Sequence, residues 1–273
     1  PTDRLGRKKT LFWIGVLYFA SAMGSAFAPE AYSFSFFRFI GGVGVGASSV
    51  AAPVYISEIS TAQTRGRLTA MYQFNIVFGI LLAFISNYLI GILFDESIAW
   101  RWMLGIEGLP ALIYTFMVFK IPNSPRWLLM KDKADAVVME SITLLGIAKD
   151  KASIHLEQIK IAIVETKEKK SESLFSGRYN KPLLLAFLIA FFNQLSGINF
   201  VLYYAPEILE RAGLASGESL FSSISIGVIN LIFTFVGISL IDKLGRKQLM
   251  YIGSIGYIVS LAMVGWCFYS SAS

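Results

Sequence analysis

The chain has 273 residues, 55% of them hydrophobic and only 15% charged, with a mean hydropathy of +0.61. Soluble domains carry about 25% charged residues, so this composition excludes an ordinary soluble domain and points to a membrane protein. The net charge of +6 admits a nucleic-acid partner until its distribution is read, while the single cysteine, Cys267, excludes a disulfide framework and a cysteine-rich metal site.

The chain opens on a charged turn, Asp3-Arg4-Leu5-Gly6-Arg7-Lys8, which runs into an apolar segment at 10–28. A bilayer span needs about 20 mostly apolar residues, and this run qualifies. The second run, 31–57, carries one charge, Arg38. In it Gly42 and Gly46 stand four apart with Gly44 between, a spacing that predicts close helix approach. Pro53 removes one helical hydrogen bond and is predicted to bend the cytosolic end. Glu58 and Arg65 flank that end. The third run, 68–94, is free of charge, and the fourth, 102–119, carries Glu107. A polar stretch follows, in which isoleucines alternate with charges; it predicts short amphipathic helices at the membrane surface or under the bundle. His155 lies there on a charged face and reads as solvated. Runs 182–206, 219–241 and 248–270 complete a set of seven. Between the last two, Asp242 to Lys247 repeats the opening turn with five of six residues identical. The absence of a leading Met and an end directly after an apolar run predict a piece of a longer protein.

Alternate loops fall on opposite sides of a membrane. Loops 1–9, 58–67, 120–181 and 242–247 share one side, and the other receives only Arg101 and Arg211 among all Lys and Arg outside the spans. Positive charge stays cytoplasmic, so those four loops are read as cytosolic. The basic balance is then an orientation signal in a multi-pass protein of the inner membrane. The lipid bilayer is the partner and nucleic acid is not. A repeated charged turn ahead of a span, in two parts joined by a cytosolic linker, is a mark of secondary transporters. In each turn the Gly allows a sharp reversal, and the Asp can pair with a helix N-terminus or a neighbouring Arg.

Several motifs now combine. Ile40-x-Gly42-Val43-x-x-Gly46 is followed by Tyr55-x-x-Glu58 and Arg65-Gly66; "PNSPRWLL" stands at 122–129 and "NQLSGINFVLYY" at 193–204. With the two Asp-x-Leu-Gly-Arg-Lys turns, the whole chain resembles the sugar porter family of the major facilitator superfamily. The resemblance implies an all-α membrane fold of two pseudo-symmetric six-helix halves. Here it is reduced to seven transmembrane helices with a cytosolic helical linker, from the family's second-to-third helix loop to its ninth helix. Three parts are expected: 1–121 as the end of the N-terminal half, 122–180 as the linker, and 181–273 as the start of the C-terminal half.

A neutral polyol offers only hydroxyls, and amides match them with both donors and an acceptor. Amides are also costly in a membrane unless they line a cavity. Those within the runs are Gln73, Asn75, Asn87, Asn193, Gln194, Asn199 and Asn230. Gln194, Asn199 and Tyr203 form a polar stripe, and Gly197 between them can open the helix. The resemblance implies sugar contacts at Gln73, Gln194, Asn199, Tyr203 and Asn230, with Asn193 standing where the family has Gln. Asn75 and Asn87 fall outside those positions and read as glue between helices.

Charges at bilayer depth are expensive and suspected of function. Arg38 and Glu107 share a depth near the outer leaflet, which predicts a charge pair. In the proton-coupled xylose symporters of this family, an Arg and a Glu at these positions surround a titrating Asp on the first helix, which lies outside this sequence; facilitators tend to have an apolar residue in place of Glu107. The resemblance therefore implies a monosaccharide and a proton as partners, with a passive facilitator or a non-transporting sugar sensor as alternatives. It also implies a cytosolic gate at Asp3, Arg4, Arg7, Glu58, Arg65, Arg126, Asp242 and Arg246, with Asn123 in place of the family's Glu. No cofactor or metal is implied. The spans hold no Ser/His, Cys/His or paired-carboxylate constellation, so the expectation is a transporter and not an enzyme.

Overall fold

A computed structural model describes residues 2–61, 64–168, 177, 179–195 and 197–272. All regular structure among them is helical: α1 (Thr2–Leu5), α2 (Arg7–Ala26), α3 (Ala31–Ile59), α4 (Arg65–Leu93), α5 (Glu96–Gly105), α6 (Gly108–Val118), α7 (Pro125–Met130), α8 (Asp135–Leu144), α9 (Lys149–Glu168), α10 (Asn180–Leu195), α11 (Ile198–Tyr203), α12 (Ala205–Arg211), α13 (Ser216–Leu244) and α14 (Arg246–Ala272). They form two compact units. The first holds Pro1–Tyr72 and Phe94–Ser171, the second Gln73–Leu93 and Glu172–Ser273, so the division runs through α4.

Among the described residues, five stretches are long and apolar enough to cross a membrane: Ala31–Ile59, Arg65–Leu93, Asn180–Tyr203, Ser216–Ile241 and Lys247–Cys267. The other two predicted runs take a different form. Run 10–28 becomes α2, twenty residues rich in Ser, Ala and Gly. Run 102–119 is shared between α5 and α6, of 10 and 11 residues; Ile106 and Glu107 between them keep right-handed helical dihedrals, and only the hydrogen-bond pattern changes there.

In the first unit α2 is the central element, packed against α3, α5 and α6. Its apolar core joins Leu11 and Ile14 to Ala51 and Tyr55 of α3 and Val118 of α6. Small residues let the backbones close up. A side chain in place of Gly24 would collide with Phe37, and one at Gly41 with Ser21. This corrects the spacing read from the sequence. Gly42 and Gly46 have nothing within 4 Å of where a Cβ would stand, while Gly44 faces Tyr18 and Leu17. The contact face of α3 is thus set by Gly41 and Gly44, three apart. Pro53 does not end α3, which runs on to Ile59.

The predicted linker helices are α7, α8 and α9, and they have a core of their own: Leu128, Val138, Ile142, Ala152 and Leu156. The sequence Ser124-Pro125 explains where α7 begins. Ser124 Oγ accepts from the Trp127 N–H at 3.2 Å, and Pro125 occupies a first-turn position whose N–H would have no helical partner. Lys160 Nζ donates to Asp135 Oδ2 at 2.6 Å, tying α9 to α8.

In the second unit, α4 meets α13 through small and aromatic residues. A Cβ on Gly227 would stand 3.0 Å from Phe84 and 3.1 Å from Leu81. The Phe74 and Phe235 rings lie 5.4 Å apart, and those of Tyr88 and Phe221 5.3 Å. Ser219 and Ser223 are fully buried on α13. Ser219 donates to Glu210 Oε1 of α12 at 3.1 Å, and Ser223 to the Ser219 carbonyl at 2.8 Å, so both hydroxyls are satisfied.

Candidate functional site

Three groups of predicted residues can be located. The first is the charged turn at the start of the chain. α1 ends at Leu5, Gly6 takes φ 92° and ψ 153°, and α2 begins at Arg7. The reversal aims Arg7 inward. Its Nε donates to Glu58 Oε2 at 2.8 Å and its Nη2 to Glu58 Oε1 at 2.7 Å, a two-pronged bond that fits a planar guanidinium to a carboxylate. Nη1 reaches Asp3 Oδ1 at 2.8 Å and the Thr2 carbonyl at 3.2 Å. The Arg7 and Glu58 side chains are only 5% and 7% exposed. Burial works against the Arg7 charge, but the hydrogen bond and charge of Glu58, with those of Asp3, outweigh it and hold the guanidinium above its ordinary value. The pair therefore keeps its cation throughout the physiological range.

Neighbouring elements close over this turn. Trp127 Nε1 donates to the Asp3 carbonyl at 3.1 Å, with its ring beside Gly6. Lys8 Nζ donates to the Phe119 carbonyl beyond α6 at 2.9 Å, and Tyr55 Oη to the Pro122 carbonyl at 2.8 Å. Sequence reasoning did not single out Trp127, Tyr55 or Lys8 for these roles. "SPRW" and the Tyr-x-x-Glu spacing carried the signal, but only packing gives them partners. The other predicted gate residues stand apart. Arg4 and Arg65 are exposed and Arg126 is half-buried, and none of the three makes an ion pair among the described residues. The side chains of Asp242 and Arg246 lie outside the described residues.

The second group is the pair at the far end of the same unit. Arg38 Nη1 lies 3.6 Å from Glu107 Oε2, with both side chains about half exposed at 46% and 53%. The predicted pair is therefore present. Arg101 lies six residues before Glu107. It donates to the Ala26 carbonyl at 3.0 Å and rests 4.6 Å from the centre of the Trp100 ring.

The third group falls wholly in the second unit. Asn193 and Gln194 end α10, Asn199 and Tyr203 lie on α11, Gln73 on α4 and Asn230 on α13. The helix is opened between Gln194 and Asn199. Gly197 adopts φ 79° and ψ 5°, a left-handed conformation that suits glycine, and starts α11 afresh. Across that break Asn199 Nδ2 donates to Gln194 Oε1 at 2.6 Å. Each amide keeps free donor and acceptor capacity. Asn193, Gln194, Asn199, Tyr203 and Gln73 are exposed, and Asn230 is half-buried. Among the described residues no hydrogen bond links the side chains of Gln73, Tyr203 or Asn230 to the Gln194–Asn199 pair. Asn75 and Asn87 form no hydrogen bond to another helix there either, so the glue read for them from the sequence has no counterpart. No group of three or more His, Cys, Asp or Glu able to hold a metal occurs among the described residues.

Comparison with known proteins places this geometry in a family. The family model "Sugar (and other) transporter" matches residues 1–273. The chain is 33% identical over 293 residues to the D-xylose-proton symporter of Escherichia coli, covering 99% of this chain and 59% of the relative. It is 34% identical over 275 residues to the major myo-inositol transporter IolT of Bacillus subtilis, covering 97% and 56%. Among solved structures, the partially occluded inward-open conformation of the xylose transporter XylE from E. coli superposes with a TM-score of 0.86 at 32% identity, over 99% of this chain and 64% of that one. The chain thus spans less than two thirds of the length of these proteins, and over that span it has the major facilitator superfamily fold.

Proposed function

The chain belongs to the family of sugar (and other) transporters, a family of carriers and not of enzymes, and from that premise we propose that it works in proton-coupled uptake of a monosaccharide by alternating access. Its residues divide the work. Gln73, Asn193, Gln194, Asn199, Tyr203 and Asn230 hold the sugar at mid-membrane. Arg38 and Glu107 couple its movement to a proton. Asp3, Arg4, Arg7, Glu58, Arg65, Arg126, Asp242 and Arg246 gate the cytosolic side.

The observation that carries the sugar reading is the opened helix at Gly197, with two amides facing each other across it. A break in a span frees backbone groups, which is tolerated where they line a cavity. Two mutually bonded amides there are already oriented, and hydroxyls of a polyol can replace that one bond and add others. The gate reading is supported by the buried Arg7–Glu58 fork, whose loss of partners on opening must be offset by binding energy. In this reading residues 1–121 and 181–273 belong to the two halves, and 122–180 is the cytosolic linker. The protein sits in the inner membrane with loops 1–9, 58–67, 120–181 and 242–247 in the cytoplasm.

Sugar binding by the purified full-length protein tests the site. Q194A is expected to abolish it, because it removes one member of the amide pair and strands the other. Unchanged affinity would remove the site assignment. The rival reading is a passive facilitator of the same fold. The Arg38–Glu107 pair favours symport, since a half-exposed ion pair at bilayer depth is costly without a task.

A further inference from the structure

Glu107 sits where its run changes hydrogen-bond spacing between α5, which ends at Gly105, and α6, which starts at Gly108, while Ile106 and Glu107 keep right-handed helical dihedrals. The chemical cause lies three residues on. Pro110 has no N–H to return to the Ile106 carbonyl. That carbonyl instead accepts from the Leu109 N–H at 3.1 Å, one residue tighter than α-helical spacing. The Ala111 N–H then bonds the Glu107 carbonyl at 3.3 Å and α-helical spacing resumes. This tight turn is also pressed against α2. A Cβ on Gly105 would stand 3.3 Å from Ala26, and one on Gly108 2.5 Å from the end of Met23. Gly105 and Gly108 are three apart and share one face. Glu107 lies off that face, and it meets Arg38 of α3.

We propose that Pro110 is a positioning residue, which sets the direction of Glu107 toward Arg38 by denying the Ile106 carbonyl its α-helical donor. This role rests on the reading of Arg38 and Glu107 as the coupling pair. An α-helix turns about 100° per residue and a 3-10 turn about 120°. Relaxing one tight residue therefore swings Glu107 by about 20°. A carboxylate roughly 6 Å from the helix axis then moves about 2 Å. That is enough to part a pair already 3.6 Å apart. The charged groups on the elements packed around it are few. Arg38, the capping Glu30 and, at the opposite end, Glu58 belong to α3, and Arg101, Glu96 and the capping Asp95 to α5. α2 presents Phe19, Met23 and Ala26 at this level, with Arg7, Lys8 and Lys9 at its opposite end.

The test uses full-length P110A, P110S and E107Q in proteoliposomes, with labelled D-xylose and D-glucose. Counterflow, which needs no proton gradient, reports binding and exchange. Proton-driven accumulation across a pH series reports coupling. P110A is expected to keep counterflow, lose accumulation and take on the pH profile of E107Q. P110S should do the same, because serine restores the same N–H to the Ile106 carbonyl. A wild-type pH profile in P110A overturns the positioning role alone. A wild-type profile in E107Q overturns the coupling reading and the role with it. Loss of counterflow in both Pro110 variants overturns it in favour of a general structural part. Should P110A fail to insert, P110S decides by the same measures.

Discussion

The two copies of the charged turn share a backbone and differ in what surrounds the glycine and the last lysine. In the first, Gly6 joins α1 to α2 at φ 92° and ψ 153°; in the second, Gly245 joins α13 to α14 at φ 78° and ψ 157°. Both lie in a region of backbone space that is essentially reserved for glycine. Gly6 is buried, and a Cβ there would stand 3.0 Å from the Trp127 ring; Gly245 is exposed, with nothing within 4 Å. Lys8 donates to the Phe119 carbonyl, whereas Lys247 rests 6.0 Å from the centre of the Tyr251 ring on its own helix. Six residues are thus enough to fix a turn. At the first copy other segments close over that turn, Glu58 from α3 and Trp127 from α7.

Four substitutions break or sharpen that contrast. The largest effect is expected from E58A, which leaves Arg7 buried without its main partner. Stranding one member of a buried pair costs about 3–5 kcal/mol, read as a fall in thermal stability of the purified full-length protein. G6A comes next, combining about 1–3 kcal/mol of backbone strain with displacement of the Trp127 ring. G245A should show the backbone cost alone. Equal losses at Gly6 and Gly245 would mean that the Trp127 contact contributes nothing. The smallest effect is expected from W127F, which loses the bond to the Asp3 carbonyl, at about 1 kcal/mol, together with the Cζ2–Cη2 edge that lies against Gly6.

The same contrast explains how much could be read from the residues. The glycine turns, the linker helices and the opening at Gly197 follow from local chemistry, and each was legible. So was the Arg38–Glu107 pair, because two costly charges at one depth have few other partners. The gate was legible only in part. The resemblance puts Glu58 and Arg7 in one gate with six other residues, but which two form its buried fork, 51 residues apart, shows only in the structure. Close helix approach is read from Gly42 and Gly46 with Gly44 between, but which face of that glycine-rich helix meets α2 is decided by Ser21, Tyr18 and Leu17 of α2. The tightened turn at Glu107 is not apparent in the run, although Pro110 marks it. An apolar run of adequate length reads as one span until the missing N–H is followed back to its carbonyl.

The most direct test of the central claim is uptake of labelled xylose and glucose by the full-length gene product in transport-deficient bacterial cells, with and without an uncoupler. Proton-coupled transport predicts accumulation above the external concentration that collapses when the uncoupler is added. Uptake that stops at equilibrium and ignores the uncoupler would contradict coupling, and would leave Arg38 and Glu107 as a structural pair.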